Sequence, residues 1–363
     1  MDKILTKAVW KMRKEDSCEQ GEEVNVTIIK TGRSSYQIYF PTSGCRYACT
    51  MCNYGFRHPI REKEILQELD IICNYLEKNA QNCIVILEAS GSFLDERELS
   101  KELQEKIMKR VAEISSIREV QIETHYRTIT PEKVSRIKEI FKSKNVAFEL
   151  GLESTNPEVL KIYNKAIDLE QLLKTIWICQ ENGVGISLNV MLGAPLLTID
   201  EQIVDTINSV NWILENCPQD TSIVVFPLNI KDYTLIKHMY NQGRYSVVYD
   251  WAFIEVLREI PQEELHRVYI SWYGNRCNEF HGEQAIIKPF HCSKCNNELK
   301  DFYRSFVENT DSLQKAILIQ EISSYKCQCK KEFLRLKESL KLEISYTERL
   351  EREKKLLIKE LNL

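Results

Sequence analysis

The sequence lacks the features that would place it in a membrane or outside the cell. It has no run of about 18 apolar residues, the length that a membrane-spanning helix needs. Its first residues, Met1 to Lys7, lack the apolar core of a signal peptide. Its 13 cysteines, an odd number, favour reduced thiols and metal ligation over a disulfide scaffold. We therefore predict a cytoplasmic protein with no membrane partner.

The sequence also lacks an excess of charge of one sign. It has 49 basic and 53 acidic residues, for a net charge of -4. This balance gives no global sign of nucleic-acid binding, and no RNA-binding module is recognisable. With 43% hydrophobic and 28% charged residues, its 363 residues suffice for one α/β barrel and an appendage.

A fourth cysteine is missing from the most distinctive stretch of the chain. Cys45, Cys49 and Cys52 lie on one short loop, and the next cysteine is Cys73. Three thiolates can hold three corners of a 4Fe–4S cluster and leave one iron open to a ligand. A zinc loop, which normally takes four ligands, and three chance thiols are the alternatives.

The spacing Cys-x3-Cys-x2-Cys resembles that of the radical S-adenosylmethionine (SAM) superfamily. The resemblance implies that the open iron chelates SAM and that one electron splits its sulfonium. The resulting 5′-deoxyadenosyl radical takes a hydrogen atom from the substrate, and a flavodoxin- or ferredoxin-like protein supplies the electron. Where the superfamily usually has an aromatic residue, this chain has Met51, which can cover the cluster as a soft apolar side chain.

Strand patterns alternate with helical patterns through the middle of the chain. The predicted strands are 37–40, 83–87, 119–123, 147–151, 185–192 and 222–227. Such alternation implies right-handed βαβ units and a parallel sheet. With the resemblance, it predicts the α/β class, specifically a partial (βα)6 TIM-like barrel of the radical SAM type. The cysteine loop follows the first strand, at the end where such barrels place their active sites.

Four regions are predicted along the chain. An N-terminal extension covers 1–35, the barrel 36–230, an irregular aromatic extension over the barrel 231–290, and a helical C-terminal region 291–363. The aromatic residues of the third region are expected to pack over the barrel mouth. The last stretch carries an amphipathic stripe, which predicts a docking helix or a short coiled coil.

Small residues follow the second strand at Ser90, Gly91 and Ser92. They let a ligand approach the backbone closely, and the resemblance assigns this place to the amino group of SAM. An ordinary βα turn is the alternative.

Two carboxylates end the next strands, at Glu123 and Glu153. They are candidates for binding the SAM ribose, binding a cationic substrate group or transferring protons. Salt bridges to Arg127, Lys161 or Lys165 are the alternative. Two later strands add Asn189 for the ribose and Phe226 for the adenine.

A narrower resemblance rests on motifs spread over most of residues 8–260. They are Trp10, Ser90 to Asp95, Glu123, Gly151 to Ser154, Asn164-Lys165 and Asn229 to Thr234. Their order resembles that of the archaeosine synthase radical-SAM subunit, a group related to the radical SAM domain of the Elongator catalytic subunit. Its best-known members cleave a carbon–nitrogen bond of a lysine-bearing 7-deazaguanine in tRNA.

A second cysteine set comprises Cys292, Cys295, Cys327 and Cys329. It can close a tetrahedral zinc site, hold an auxiliary iron–sulfur cluster or remain unliganded. His291 and Cys277 are candidate substitutes. The remaining cysteines are predicted to be unliganded: Cys18, Cys73, Cys83, Cys179 and Cys217.

The sequence thus predicts a radical SAM enzyme with two competing substrate classes. One is a modified 7-deazaguanine nucleoside in RNA, whose carbon–nitrogen bond is cleaved; the other is a small metabolite or natural product. A partner enzyme could carry the RNA. A non-catalytic metal-binding interaction protein is the alternative of another class.

Overall fold

One eight-stranded sheet organises the protein. The computed structural model describes residues 1–16, 26–31, 34–54, 60–271, 287–339 and 343–363. The strands follow one another across the sheet in chain order: β1 (Thr27–Lys30), β2 (Ser35–Phe40), β3 (Cys83–Ala89), β4 (Ile117–Glu123), β5 (Asn145–Glu153), β6 (Gly185–Leu192), β7 (Ser222–Pro227) and β8 (Val268–Ile270). β1 is antiparallel to β2, and every later pair is parallel. The sheet curls into the predicted partial barrel.

Thirteen α-helices surround this sheet in the described ranges. They are α1 (Lys3–Asp16), α2 (Glu62–Asn79), α3 (Lys101–Ala112), α4 (Pro131–Ile140), α5 (Pro157–Tyr163), α6 (Leu169–Glu181), α7 (Ile199–Asn216), α8 (Leu235–Asn241), α9 (Asp250–Arg258), α10 (Asn296–Glu308), α11 (Ser312–Ser324), α12 (Gln328–Ser339) and α13 (Tyr346–Leu361). None combines the length and apolar character that crossing a membrane requires. The predictions for Cys18, Cys277 and residues 272–286 lie outside the described residues.

The six predicted barrel strands are all confirmed as β2 to β7. Residues on one side of each strand, such as Ile38, Val85 and Val120, are buried in the core. The apolar faces of helices such as α2 and α3 pack there. The opposite side of each strand faces the barrel interior, which leaves that side free to carry polar residues.

The prediction that residues 231–290 are irregular is wrong over the described part of that region. It contains α8, α9 and β8. In α9, Trp251, Phe253 and Val256 are all buried, so the helix has little polar face to reveal its period. β8 has only three residues, too few for an alternating pattern to register.

The C-terminal stripe belongs to two helices, α12 and α13. Within α13, Leu357 and Leu361 are buried against Leu5 and Val9 of α1. The predicted docking helix therefore packs on the first helix of its own chain. That contact ties the C-terminal region to the helix that lies behind the cysteine loop.

Candidate active site

Cys45, Cys49 and Cys52 line one pocket at the carboxyl ends of the strands, with a volume of about 220 Å³. The loop between β2 and α2 carries them there. It is closed by a hydrogen bond from Cys45 N to Tyr54 O (2.8 Å) and by one from Cys52 N to Cys49 O (3.3 Å). The fold thus brings the three predicted ligands together around one space.

Contacts from two other segments, α1 and the end of α5, anchor this loop. The buried guanidinium of Arg13, on α1, donates to Tyr47 O at 2.8 Å and to Cys52 O at 3.0 Å. Thr50 N donates to the carbonyl oxygen of Tyr163 at the end of α5. The side-chain amide of Asn164 donates to Ala48 O at 2.8 Å. These contacts hold the loop against α1 and the end of α5.

The chemistry of the three thiols fits a cluster better than a single ion. Burial raises the pKa of Cys45 well above its ordinary value and that of Cys49 to about 12, although Lys165 opposes the shift at Cys49. Such thiols need a bound cation to become thiolates. These three sulfur atoms, all in the described part of the chain, do not all lie within 4.8 Å of one another. Separate irons suit that spacing.

The turn after β3 passes directly against the cysteine loop. A Cβ atom on Gly91 would lie 2.6 Å from Cys45 Cβ and 2.6 Å from a carboxylate oxygen of Glu98. The neighbouring hydroxyls are already bonded within the protein: Ser90 Oγ to the Tyr39 hydroxyl (2.5 Å) and Ser92 Oγ to Thr124 Oγ1 (2.7 Å). At this predicted SAM site, Gly91 and Ser92 line the pocket, so the backbone at Gly91 is the part open to a ligand.

Glu153 forms a buried ion pair with Lys165, at 2.6 Å between Oε1 and Nζ. This is one of the salt bridges that the sequence offered as an alternative. Glu153 has a φ of 68° and follows an irregularity in the pairing of β5 with β6. A Cβ on Gly151 would lie 2.2 Å from Lys165 Nζ, so a side chain at residue 151 would displace the pair from its present position. Both charged groups line the pocket.

Glu123 lies in the barrel interior with Glu88 and Glu149, and all three line the pocket. Burial raises the pKa of Glu123 well above its ordinary value, and repulsion from Glu88 and Glu149 adds to the shift. Asn189 donates to Glu149 Oε1 at 3.0 Å. Asn189, Phe226 and Met51, the other predicted cofactor-binding residues, line the same pocket.

His125 is a pocket residue that the sequence analysis missed. Its ring stacks on Tyr47 of the cysteine loop, with 4.5 Å between ring centroids, and on Tyr126 at 4.7 Å. Nδ1 accepts a hydrogen bond from Arg127 N, which leaves the proton on Nε2. Burial lowers the pKa of His125 to about 3, so the ring is neutral. Nε2 finds no acceptor in the described residues and is available to a ligand.

Glu88 and Glu149 also line the pocket without having been singled out, and so does Lys231 of the motif Asn229 to Thr234. Glu88 and Glu149 could have been found from strand alternation, because residues two apart on a strand face the same side. Glu88 precedes Ser90 by two residues, and Glu149 precedes Gly151 by two. For His125 the available signal is its position two residues after the end of β4, where α/β barrels place site residues.

The C-terminal cysteines form a separate, compact group. All four sulfur atoms lie within 4.8 Å of one another. Cys292 and Cys295 are 3.6 Å apart, Cys295 and Cys329 3.5 Å, and Cys327 and Cys329 3.3 Å. His291 instead hydrogen-bonds Asp250 (2.6 Å) and Asn296 (3.0 Å) through its two ring nitrogens. The four predicted thiols are therefore together, without His291.

Residues 39–210 match the family model of the Radical SAM superfamily. An archaeosine synthase subunit beta from Methanosarcina acetivorans is 24% identical, over 81% of this chain and 82% of its own. The uncharacterized protein MJ0550 of Methanocaldococcus jannaschii is 28% identical, over 82% of this chain and 80% of its own. Among solved structures, Methanocaldococcus infernus Elp3 with an N-terminal deletion is 16% identical, covers 65% of this chain and has a TM-score of 0.48. This chain spans only 58% of that structure.

The family match falls on the segment that carries the cysteine loop and most of the barrel. Over these residues, which are just under half of the chain, the protein is therefore similar to the radical SAM superfamily. That family implies a 4Fe–4S cluster and SAM as cofactors. Its relatives include the archaeosine synthase subunit beta.

Proposed function

We propose that Cys45, Cys49 and Cys52 hold the 4Fe–4S cluster and that SAM binds beside it. The observation that supports this most directly is that all three cysteines and Gly91 line one pocket, with Gly91 against Cys45. When bound, these cofactors supply one-electron chemistry that removes a hydrogen atom from the substrate.

The residues around the pocket have separate roles in this proposal. The backbone at Gly91 receives the amino group of SAM, and Met51 covers the cluster. Glu153, fixed by Lys165, binds the ribose together with Asn189, and Phe226 contacts the adenine. Glu123 is the candidate for proton transfer, because burial raises its pKa well above the ordinary value of a glutamate.

We propose a modified 7-deazaguanine nucleoside in RNA as the substrate, with cleavage of a carbon–nitrogen bond. The relative named archaeosine synthase subunit beta supports this class. That relative is named as one subunit of a synthase, which supports a partner enzyme for this chain as well. The cluster also requires an electron donor, for which we propose a flavodoxin- or ferredoxin-like protein. The net charge of -4 favours the competing class, a small metabolite or natural product.

The test is anaerobic reconstitution followed by incubation with dithionite, SAM and tRNA that carries a lysine-modified 7-deazaguanine. We expect 5′-deoxyadenosine and a tRNA base shortened by loss of the lysine carbon skeleton, both measured by mass spectrometry. The Cys45→Ala, Cys49→Ala and Cys52→Ala variants should yield neither, whereas Cys73→Ala should match wild type. Formation of 5′-deoxyadenosine with no change in the tRNA would refute the RNA substrate but not the radical chemistry.

For the C-terminal cysteines we propose one zinc ion held by Cys292, Cys295, Cys327 and Cys329. Thiolates at about 2.3 Å from a tetrahedral zinc lie about 3.8 Å apart, close to the observed sulfur separations of 3.3 to 3.6 Å. In a 4Fe–4S cluster each thiolate binds its own iron, which requires wider spacing.

Hydrogen-bond donors around the sulfurs support a charged tetrathiolate centre. Trp251 Nε1 and Cys292 N donate to Cys329 Sγ at 3.3 and 3.4 Å, and Lys330 N donates to Cys327 Sγ at 3.4 Å. Such donors offset the negative charge that four thiolates leave on zinc. We expect one zinc per chain by plasma mass spectrometry, lost in Cys295→Ser and retained in Cys179→Ser. Iron at this site in the Cys45→Ala variant would overturn the assignment.

A further inference from the structure

A second cavity, of about 640 Å³, lies beside the cluster pocket at the same end of the barrel. We call it the basic basin, because its lining includes five basic side chains: Arg97, Lys101, Arg127, Lys133 and Arg136. The segments that follow β3 and β4 line both cavities. A ligand in the basin is therefore next to the cysteine loop.

A column of five stacked side chains connects the two cavities. In its middle, the His125 ring stacks on Tyr47 and on Tyr126. At its ends, the guanidinium carbon of Arg46 lies 4.9 Å from the Tyr47 ring centroid, and that of Arg127 lies 5.6 Å from the Tyr126 ring centroid. Tyr47 and His125 line the cluster pocket, whereas Arg127 lines the basin.

The two arginines of this column are held in place without a close carboxylate partner. Arg127 Nε donates to the Tyr126 hydroxyl at 2.9 Å, and no carboxylate of the described residues pairs with it. Arg46 Nη2 donates to the Tyr47 hydroxyl at 3.0 Å, and its Nε lies 3.8 Å from Asp95. A guanidinium that rests on an aromatic ring keeps several N–H donors in fixed directions, which suits the oxygens of a phosphate group.

The acidic groups of the basin are mostly bound to its other cations. These ion pairs join Asp95 to Arg97 at 2.8 Å, Glu96 to Lys133 at 3.0 Å and Glu105 to Arg136 at 2.5 Å. Lys101, an exposed residue at the start of α3, has no such partner in the described part of the chain. Counted with Arg46 and Glu105, the basin has six basic and four acidic side chains. This excess of positive charge stands out in a chain of net charge -4.

We propose that the basic basin and the two stacked arginines bind phosphate groups of an RNA strand. Proteins hold single strands of RNA with positively charged grooves that follow the backbone. Because the column leads from the basin to the cluster pocket, a nucleotide whose phosphates lie in the basin has its base beside that pocket. The inference rests on the proposed function, since it gives the proposed RNA substrate a binding surface.

The test measures the affinity of a fluorescein-labelled tRNA transcript by anisotropy, on cluster-loaded protein, at about 50 to 200 mM salt. Lys101→Gln and Arg127→Gln should each weaken binding by about threefold. Each should also lower the slope of log affinity against log salt concentration by about one, because each removes one phosphate contact.

Arg304→Gln on α10 is the matched control and should bind tRNA as wild type does. Arg304 is exposed and, like Arg46, has only a long carboxylate contact, at 3.7 Å from Asp301. The exposed side chain of Lys101 makes its variant safe for folding. Unchanged affinity and slope in both basin variants would overturn the proposal, and so would a wild type that binds no tRNA at about 50 mM salt.

The outcomes for this surface and for the proposed function can be told apart. If tRNA binds through the basin but its modified base is left unchanged in the presence of SAM and dithionite, the RNA reaction is refuted and the surface stands. If the modified base is cleaved while both basin variants bind tRNA as wild type does, the surface is refuted and the RNA reaction stands.

Discussion

Gly91 is the residue at which the turn after β3 touches the cysteine loop. Its absent side chain is the reason that the two segments can meet, since a Cβ there would lie 2.6 Å from Cys45 Cβ. Real Cβ atoms do not approach so closely in a packed interior. The position therefore couples the geometry of the predicted SAM turn to that of the predicted cluster ligands.

Gly91→Ala should displace the cysteine loop. We expect a loss of about 1–3 kcal/mol in the free energy of unfolding, as for overpacking elsewhere. Because the displaced residue is Cys45, cluster content after reconstitution should fall as well, measured by iron and sulfide analysis. Gly185→Ala is the matched control, since its Cβ would meet nothing nearer than Ala147 Cβ at 3.3 Å. Full cluster loading of Gly91→Ala would disprove the coupling.

The raised pKa of Glu123 gives the protein a pH dependence that can be isolated. The folded state keeps a proton on Glu123 that the unfolded chain releases above about pH 4.3. Stability from this group is therefore present at low pH and is lost as pH rises toward the folded pKa. Glu98 and Asp205, whose pKa values burial raises to about 7 and about 6, act in the same direction.

Glu123→Gln should remove the loss of folding stability that Glu123 causes as pH rises. Urea denaturation at pH 5 to 8 should find the variant increasingly more stable than wild type as pH rises, by at most about 1.4 kcal/mol per pH unit. Subtracting wild type cancels the contributions of Glu98, Asp205 and His125. Glu181→Gln, which changes an exposed carboxylate on α6, is the control for the substitution itself. A Glu123→Gln protein that is less stable than wild type at pH 8 would mean that the carboxylate is a structural group.

At the scale of elements, the contact of α1 with α13 supports the site from outside the barrel. α1 carries Arg13, which bonds to two carbonyl oxygens of the cysteine loop. α13 buries Leu357 against α1. α13 thereby stabilises the position of α1, and α1 in turn anchors the cysteine loop.

Leu357→Ala should weaken this contact and the cysteine loop together. Leu357 is fully buried, so we expect a cost of about 2–5 kcal/mol in the free energy of unfolding. Faster loss of the cluster to an iron chelator should accompany it. The neighbouring Leu356 is 40% exposed, and Leu356→Ala should change neither measurement by much. If the two variants lose the cluster to the chelator at equal rates, α13 does not stabilise the cysteine loop.

For the whole molecule, the C-terminal cysteine group, which we propose to be a zinc site, joins segments that are far apart in sequence. Its ligands come from the approach to α10 and from the start of α12, and Trp251 of α9 bonds to Cys329. Removing the proposed zinc ion would leave the four thiols without the ion that links them. We expect the local stability of α10 to α12 to fall, while the barrel strands keep theirs.

Hydrogen exchange followed by mass spectrometry can check this after treatment with a zinc chelator. Amides of α10 and α12 should exchange faster, with those of β3 to β6 unchanged. Cys295→Ser should reproduce the effect without a chelator. Faster exchange throughout the barrel would instead mean that the metal stabilises the whole fold.

Local patterns predicted the barrel well, because alternation and apolar runs report directly on strands such as Cys83–Ala89 and Gly185–Leu192. The cysteine spacing and the strand ends located the pocket for the same reason. Long-range pairing was beyond such patterns. Arg13 reaches Cys52 through the packing of α1, and nothing in the sequence near either residue indicates that contact. The stack of His125 on Tyr47 is of the same kind.

The anchoring of the cysteine loop bears on how the cluster assembles. Arg13, Thr50 and Asn164 fix the loop through contacts within the protein. In a zinc finger, by contrast, metal binding must also order the chain. Here contacts within the protein order the loop, so we expect iron and sulfide to bind to a loop that folding has already ordered. Extraction and reinsertion of the cluster should then be reversible, with little change in helix content along the way.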